Sequence, residues 1–93
     1  MFTLYKYPIP VEDEFALDLP IGAQILCVQA QREEPQIWAI VDPEQLKQSR
    51  RFALLGTGHP IDAALADLGK TSQYRGTFQL REGTLVFHLF ERM

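Results

Sequence analysis

The sequence predicts a small, mostly β protein: a compact antiparallel β-sandwich or partly open β-barrel of about seven short strands with one short helix. Three observations support this prediction. Apolar side chains alternate with polar ones in several segments, as at Phe15, Leu17 and Leu19, which is the period of a strand with one solvent-facing side. Prolines and glycines separate these segments at short intervals, as in antiparallel proteins. Only one segment has the composition of a helix.

Seven segments have strand character. They are residues 2–7, 14–19, 24–31, 36–41, 51–55, 74–81 and 84–90. The fourth is apolar on both faces, so we expect it to lie centrally. In the sixth, alternation is expected to place Tyr74 and Phe78 on one face and Arg75 on the other. Glu82-Gly83 then predicts a two-residue hairpin turn.

The predicted helix covers residues 62–69. Asp62 is its candidate N-cap, alanines and leucines fill it, and Gly69 is its candidate end. The residues expected to dock it are Ile61, Leu65 and Leu68. A single helical turn is also expected over residues 44–47, because Asp42-Pro43 suits a helix start.

Composition limits the classes of function. With 93 residues the chain is predicted to form one domain, residues 1–93, and its 46% hydrophobic content argues against disorder. The net charge of −3 argues against broad binding to nucleic acid, which needs a basic surface. No stretch has the length of a membrane span or the pattern of a signal peptide. We therefore expect a soluble, cytoplasmic protein whose one cysteine, Cys27, is a buried structural thiol.

The loop after the fifth strand is the candidate ligand-binding site. Gly56, Thr57, Gly58 and His59 could bring backbone amides close to an anion, and Arg75 or Arg51 could assist them. The alternative interpretation is a plain turn, since the loop lacks the phosphate-loop lysine and the dinucleotide fingerprint.

Signs of catalysis are weak in this sequence. The two histidines stand far apart without a spaced carboxylate, so we predict no metal site and no cofactor. His88 is interpreted as a core or interface histidine. No pair of nucleophile and base can be named, which favours a protein that is not an enzyme.

Five sequence blocks resemble a known family. They are KYPIP at residues 6–10, LPIGA at 19–23, WAIVDP at 38–43, GTGHP at 56–60 and HLFE at 88–91. In this order they are similar to the blocks of a family of small uncharacterised proteins from bacteriophages and bacterial genomes, a domain of unknown function. The segment between Asp62 and Ser72 departs from that pattern. The resemblance implies a phage or mobile-element accessory protein in the host cytoplasm, directed at a host defence component, and it supplies no site residues.

These observations predict a non-enzymatic binding or assembly module that associates with itself and with a host or phage protein. A small core has difficulty hiding so many large apolar side chains, and an oligomer interface would bury the remainder. The residues concerned are Phe2, Phe15, Trp38, Phe52, Phe78, Phe87 and Phe90. The alternative function is a small-ligand protein that binds a nucleotide or another phosphate-bearing molecule at Gly56 to His59.

Overall fold

The computed structural model describes residues 1–93 apart from the side chain of residue 64. The strands are β1 (Thr3–Pro8), β2 (Glu14–Pro20), β3 (Gln24–Gln31), β4 (Glu34–Val41), β5 (Lys47–Gly56), β6 (Ser72–Leu80) and β7 (Leu85–Arg92). One short α-helix, α1 (Leu68–Thr71), precedes β6. A 3₁₀ turn, Ala63–Leu65, and a tight left-handed turn, Arg81–Gly83, lie in the connections.

The strands form two antiparallel sheets. The three-stranded sheet has the order β1-β4-β3, and the four-stranded sheet has the order β2-β5-β7-β6. The prediction of a mostly β fold with about seven strands and one short helix is therefore confirmed. Across the described residues the strands do not close into a barrel, because no backbone ladder joins the two sheets.

The hydrophobic core lies between the inner faces of the two sheets. Its completely buried large side chains are Leu19, Ile37, Val41, Phe52 and Leu89. Each removes an apolar side chain from water, which contributes about 1.5–3 kcal/mol per residue. The stacked rings of Phe15 and Phe52, with centroids 5.4 Å apart, extend the core toward β2.

The edges of the two sheets meet where β3 lies beside β6. A side chain at Gly76 would put its Cβ 3.0 Å from Cγ1 of Val28, so the glycine permits this close approach. The φ angle of Gly76 is +141°, which also favours glycine. At the end of the same edge, the amide of Arg81 donates to the Glu33 carboxylate at 2.5 Å.

A bulge in β6 corrects the predicted faces of this strand. Tyr74 pairs with Phe90, but Gly76 pairs with Leu89, so Arg75 is an extra residue between two ladder pairs. The extra residue reverses the alternation at this point. Tyr74 therefore lies on the outer face of the sheet and Arg75 turns inward, the opposite of the arrangement that strict alternation predicts.

Three predicted local structures are wrong. The segment after Asp42 is a turn and not a helix, and the chain then enters β5 at Lys47. In this turn the Asp42 carboxylate accepts a hydrogen bond from the Glu44 amide, which lowers the pKa of Asp42.

The second error concerns the helix expected over 62–69. It is reduced to the 3₁₀ turn Ala63–Leu65 and the later, one-turn α1. So short an isolated helix gains little from its own hydrogen bonds.

The third error concerns the connection between β6 and β7. It is a four-residue loop, residues 81–84, and not a two-residue turn at Glu82-Gly83. Arg81 and Glu82 both have positive φ, at 50° and 55°, so the loop turns through left-handed backbone. The hydroxyl and amide of Thr84 both donate to the carbonyl of Arg81, which holds the longer loop in shape.

An ionic cluster closes one end of the core. The Glu91 carboxylate accepts two bonds from the Arg50 guanidinium, at 2.5 and 2.8 Å, and two from Arg75, at 2.6 and 3.0 Å. Arg50 also donates to the carbonyl of Ala23 at 2.6 Å, which links the four-stranded sheet to the start of β3. Burial would raise the pKa of Glu91, but the bonds and charges of the two arginines lower it overall.

Candidate functional site

The glycine-rich loop after β5 folds back over the outer face of the four-stranded sheet. The amide of Thr57 donates to the carbonyl of Val86 at 2.9 Å, and the amide of His59 donates to the carbonyl of Gly56 at 3.2 Å. Gly58 has a φ of +82°, a conformation that a side chain would strain. The loop is thus fixed at its start and makes a tight turn at its tip.

The imidazole of His59 lies directly over the backbone of Gly56. A Cβ atom at Gly56 would stand 2.5 Å from Nδ1 of His59, so the ring occupies the space that a side chain would fill. This contact explains why the loop has glycine at this position, and it holds the His59 ring beside the sheet.

His88, on β7, is the centre of a hydrogen-bonding cluster on the outer face. Its Nε2 lies 2.5 Å from Oγ1 of Thr57. Its Nδ1 lies 3.1 Å from the hydroxyls of both Tyr74 and Thr77, which also contact each other. Both ring nitrogens therefore have partners, and the ring is held in one orientation.

Loop and sheet enclose an open groove of about 380 Å³, which we call the outer groove. Its walls are Leu55, Gly56, Thr57, Gly58, His59, Ile61, Tyr74, His88 and Phe90. The Tyr74 ring packs edge-on against Phe90, with centroids 5.2 Å apart, and forms one apolar wall. Ile61, which is 55% exposed, forms part of the opposite rim.

The composition of the outer groove decides which chemistry it can support. None of its lining residues is a lysine, an arginine, an aspartate or a glutamate. The apolar walls suit an apolar or aromatic group, while the hydroxyls and imidazoles supply a few directed hydrogen bonds. Among the described residues, no cluster of three or more His, Cys, Asp or Glu side chains is arranged to hold a metal ion.

The structure brings four of the five sequence-predicted site residues together. Gly56, Thr57, Gly58 and His59 all line the outer groove. Arg75 does not, because the bulge turns its side chain inward to Glu91. Arg51, the other predicted helper, lines separate clefts beside Arg92.

Three other lining residues, Tyr74, His88 and Phe90, were not predicted to belong to the site. His88 is hydrogen-bonded in place, as predicted, and it lies on the outer face of the sheet and not in the core. Tyr74 and Phe90 join it because the bulge puts Tyr74 beside Phe90. The available signal in the sequence was His88 itself, a polar residue within the apolar run 85–90, because alternation places Phe90 on the same face.

Two further sequence expectations concern other surfaces. Cys27 is a free cysteine, but it is only partly buried, because it pairs with Trp38 on the outer face of the three-stranded sheet. No helix in the described part of the chain is long and apolar enough to span a membrane.

The fold and the groove define a small two-sheet antiparallel β protein with a ligand-sized depression on one outer face. A family model described as a domain of unknown function, DUF7352, matches residues 1–93. The chain belongs to this family, which agrees with the expected membership in a family of unknown function. No curated protein and no solved structure matches the chain.

Proposed function

We propose that this protein is a non-enzymatic binding module that receives an apolar or aromatic side chain of a partner protein in the outer groove. The observation that supports this proposal is the apolar wall of Leu55, Tyr74 and Phe90 on a sheet face that is open to solvent. Apolar pockets rimmed by a few polar groups are common binding sites on protein surfaces.

The fixed orientation of His88 adds to the proposal. A ring held at both nitrogens loses little further freedom when a partner packs against it, so binding costs less conformational entropy. Thr57 and Tyr74, which hold that ring, are themselves part of the groove. The polar rim is therefore organised before the partner arrives.

The partner implied by the family resemblance is a host or phage protein in the cytoplasm of a bacterial host. A host defence component is the partner class that this setting favours. We propose this setting on the resemblance alone, and the groove supplies only the chemistry of the contact: an exposed aromatic or branched aliphatic residue of the partner.

Indole and p-cresol, which copy the side chains of Trp and Tyr, test the groove by amide and methyl NMR titration. We expect shifts at Leu55, Ile61 and Phe90. Ile61→Asp should abolish them, because a carboxylate at the rim opposes an apolar ligand. Ile21→Asp is the matched control, since Ile21 is similarly exposed at 48% and lies outside the groove. The absence of shifts with either probe would contradict the proposal.

A second candidate is a nucleotide or other phosphate-bearing ligand, which the open backbone at Gly58 favours: a Cβ there would meet nothing within 4 Å. Two features weigh against it. The amides of Thr57 and His59 already donate within the protein, and Arg75 pairs with Glu91.

Adenosine and adenosine monophosphate separate the two candidates in the same titration. The partner-protein proposal predicts similar, weak binding of both, because the groove has no fixed cation for the phosphate. A tenfold preference for the monophosphate, equal to about 1.4 kcal/mol, would support the phosphate ligand instead.

A further inference from the structure

The three-stranded sheet has one free edge, formed by β1. Among the described residues β1 pairs with β4 alone, and its other side has no strand neighbour. Such an edge presents unpaired backbone groups and is a template for another strand. The side chains near it are apolar and exposed: Phe2 is 73%, Leu4 55% and Tyr5 45% exposed.

The other sheet edges are less suited to a second copy. β3 and β6 lie against each other through Val28 and Gly76. The edge strand β2 carries two exposed carboxylates, Glu14 and Asp18, on one face, and Glu14 already pairs with Arg92. A self-pairing centred on Ala16 would place these two carboxylates opposite each other. The remaining edge, β1, contains one charged residue, Lys6.

Lys6 does not block the β1 edge. Its ammonium donates to Oε1 of Gln31 at 2.7 Å, so the side chain lies across its own sheet. Edge lysines hinder pairing when they project beyond the edge. Here the lysine is drawn away from it.

The exposed surface of the chain is larger than that of a typical monomer. A monomer of 10.6 kDa exposes about 5,500 Å², and this chain exposes 6259 Å². A flat body, here 42 × 30 × 16 Å, exposes more surface than a rounder one of the same mass, which contributes to this difference. An interface of standard size would bury about 800 Å² from each copy.

We propose that β1 pairs antiparallel with β1 of a second copy, which joins two three-stranded sheets into one sheet of six strands. Opposed residues of an antiparallel pair share a face. One residue must therefore lie opposite its own copy, with the two-fold axis midway between the two. Centred on Tyr5, the pairing uses every residue from Thr3 to Tyr7. Centred on Lys6, it would oppose the two lysines; centred on Leu4, it would reach beyond the strand.

This register has defined contacts. The two Tyr5 rings face each other, next to the Tyr5–Tyr7 edge-on pair already present within each chain at 6.4 Å. On the outer face, Leu4 of one copy lies opposite Lys6 of the other. The Lys6 ammonium bonds Gln31 within each chain, so a carboxylate introduced at Leu4 would draw it back toward the seam, whereas a lysine introduced there would add a like charge beside it, twice per dimer.

The variants Leu4→Lys and Leu4→Glu test this register by sedimentation analysis across a wide range of protein concentrations. Both remove the same apolar group from a side chain that is more than half exposed, so the fold should persist, which circular dichroism checks. We expect a concentration-dependent dimer for the wild type. Leu4→Lys should bind itself about tenfold more weakly than Leu4→Glu, because opposed like charges destabilise strand pairs and opposite charges stabilise them.

Leu46→Lys is the matched control, since Leu46 is 79% exposed and lies outside β1. It should dimerise like the wild type. A wild type that is monomeric at every concentration overturns the proposal, as does equal weakening by Leu4→Lys and Leu4→Glu. This surface is distinct from the outer groove, so either proposal can fail without the other.

Discussion

Gly76 has no side chain, which allows β6 of one sheet to pack closely against β3 of the other. The residue has a positive φ and would put a Cβ 3.0 Å from Val28. Gly69 differs in both respects: it lies in α1, without a positive φ, and a Cβ there would meet nothing within 4 Å. The two glycines therefore form a natural pair for one experiment.

Gly76→Ala is expected to lower the free energy of unfolding by about 1–3 kcal/mol, because of backbone strain and the contact with Val28. Gly69→Ala should raise it by about 0.5 kcal/mol, because alanine reduces the entropy of the unfolded chain. Chemical denaturation measures both. Equal effects of the two substitutions would show that the β3–β6 contact is not tight.

Glu91 links stability to pH. Its pKa is lowered in the folded protein from an ordinary value of 4.5, so its ionised form stabilises the fold above that pH. The stabilisation is lost as the pH falls below 4.5 and through the lowered, folded-state pKa. The wild type should therefore lose stability in acid over this range.

Glu91→Gln removes the counter-ion of Arg50 and Arg75 together. At neutral pH we expect a loss of about 2–3 kcal/mol in the free energy of unfolding. The difference from the wild type should shrink in acid, as the wild-type carboxylate is protonated. Glu12→Gln, at an exposed loop residue, is the control; a pH-independent difference for Glu91→Gln would contradict the role of its charge.

At the scale of elements, sequence patterns predicted the strands well and the helix poorly. β3 has the predicted bounds, because its apolar run is set between clear turn residues. The helix predicted over 62–69 is wrong in its bounds because alanine and leucine favour a helix locally, while two of the three expected docking residues, Ile61 and Leu65, are not fully buried and the third, Leu68, is. Tertiary contacts, not propensity, decide elements this short.

Leu68→Ala tests how α1 is held. Leu68 is 4% exposed, so its truncation should cost about 2–3 kcal/mol and release the helix from the sheet. Hydrogen exchange should then lose protection first at the amides of Lys70 and Thr71, which donate to the carbonyl of Asp67. Ile61→Ala, at an exposed position, should leave stability nearly unchanged.

The candidate site was predictable only where it depends on neighbouring residues in the sequence. The loop Gly56 to His59 is visible in the sequence because glycines and a histidine stand together. The wall formed by Tyr74 was not, because strict alternation fails where a bulge adds one residue to β6. Gly76 beside the bulge was the available signal, since a glycine inside a strand often marks a bulge. Arg75, predicted to assist the loop, bonds Glu91 instead because of the same bulge.

For the whole molecule, strand order sets how the chain must assemble. β1 pairs with β4 and β2 pairs with β5, so neither of the first two strands pairs with its neighbour in sequence. The first hairpin that a growing chain can close is β3–β4. During synthesis the apolar residues of β1 and β2 emerge before their partners exist, and they stay unpaired until the chain beyond Val41 and Ala53 has left the ribosome. Slow translation past β2 would prolong this exposure, and with it the opportunity for premature association.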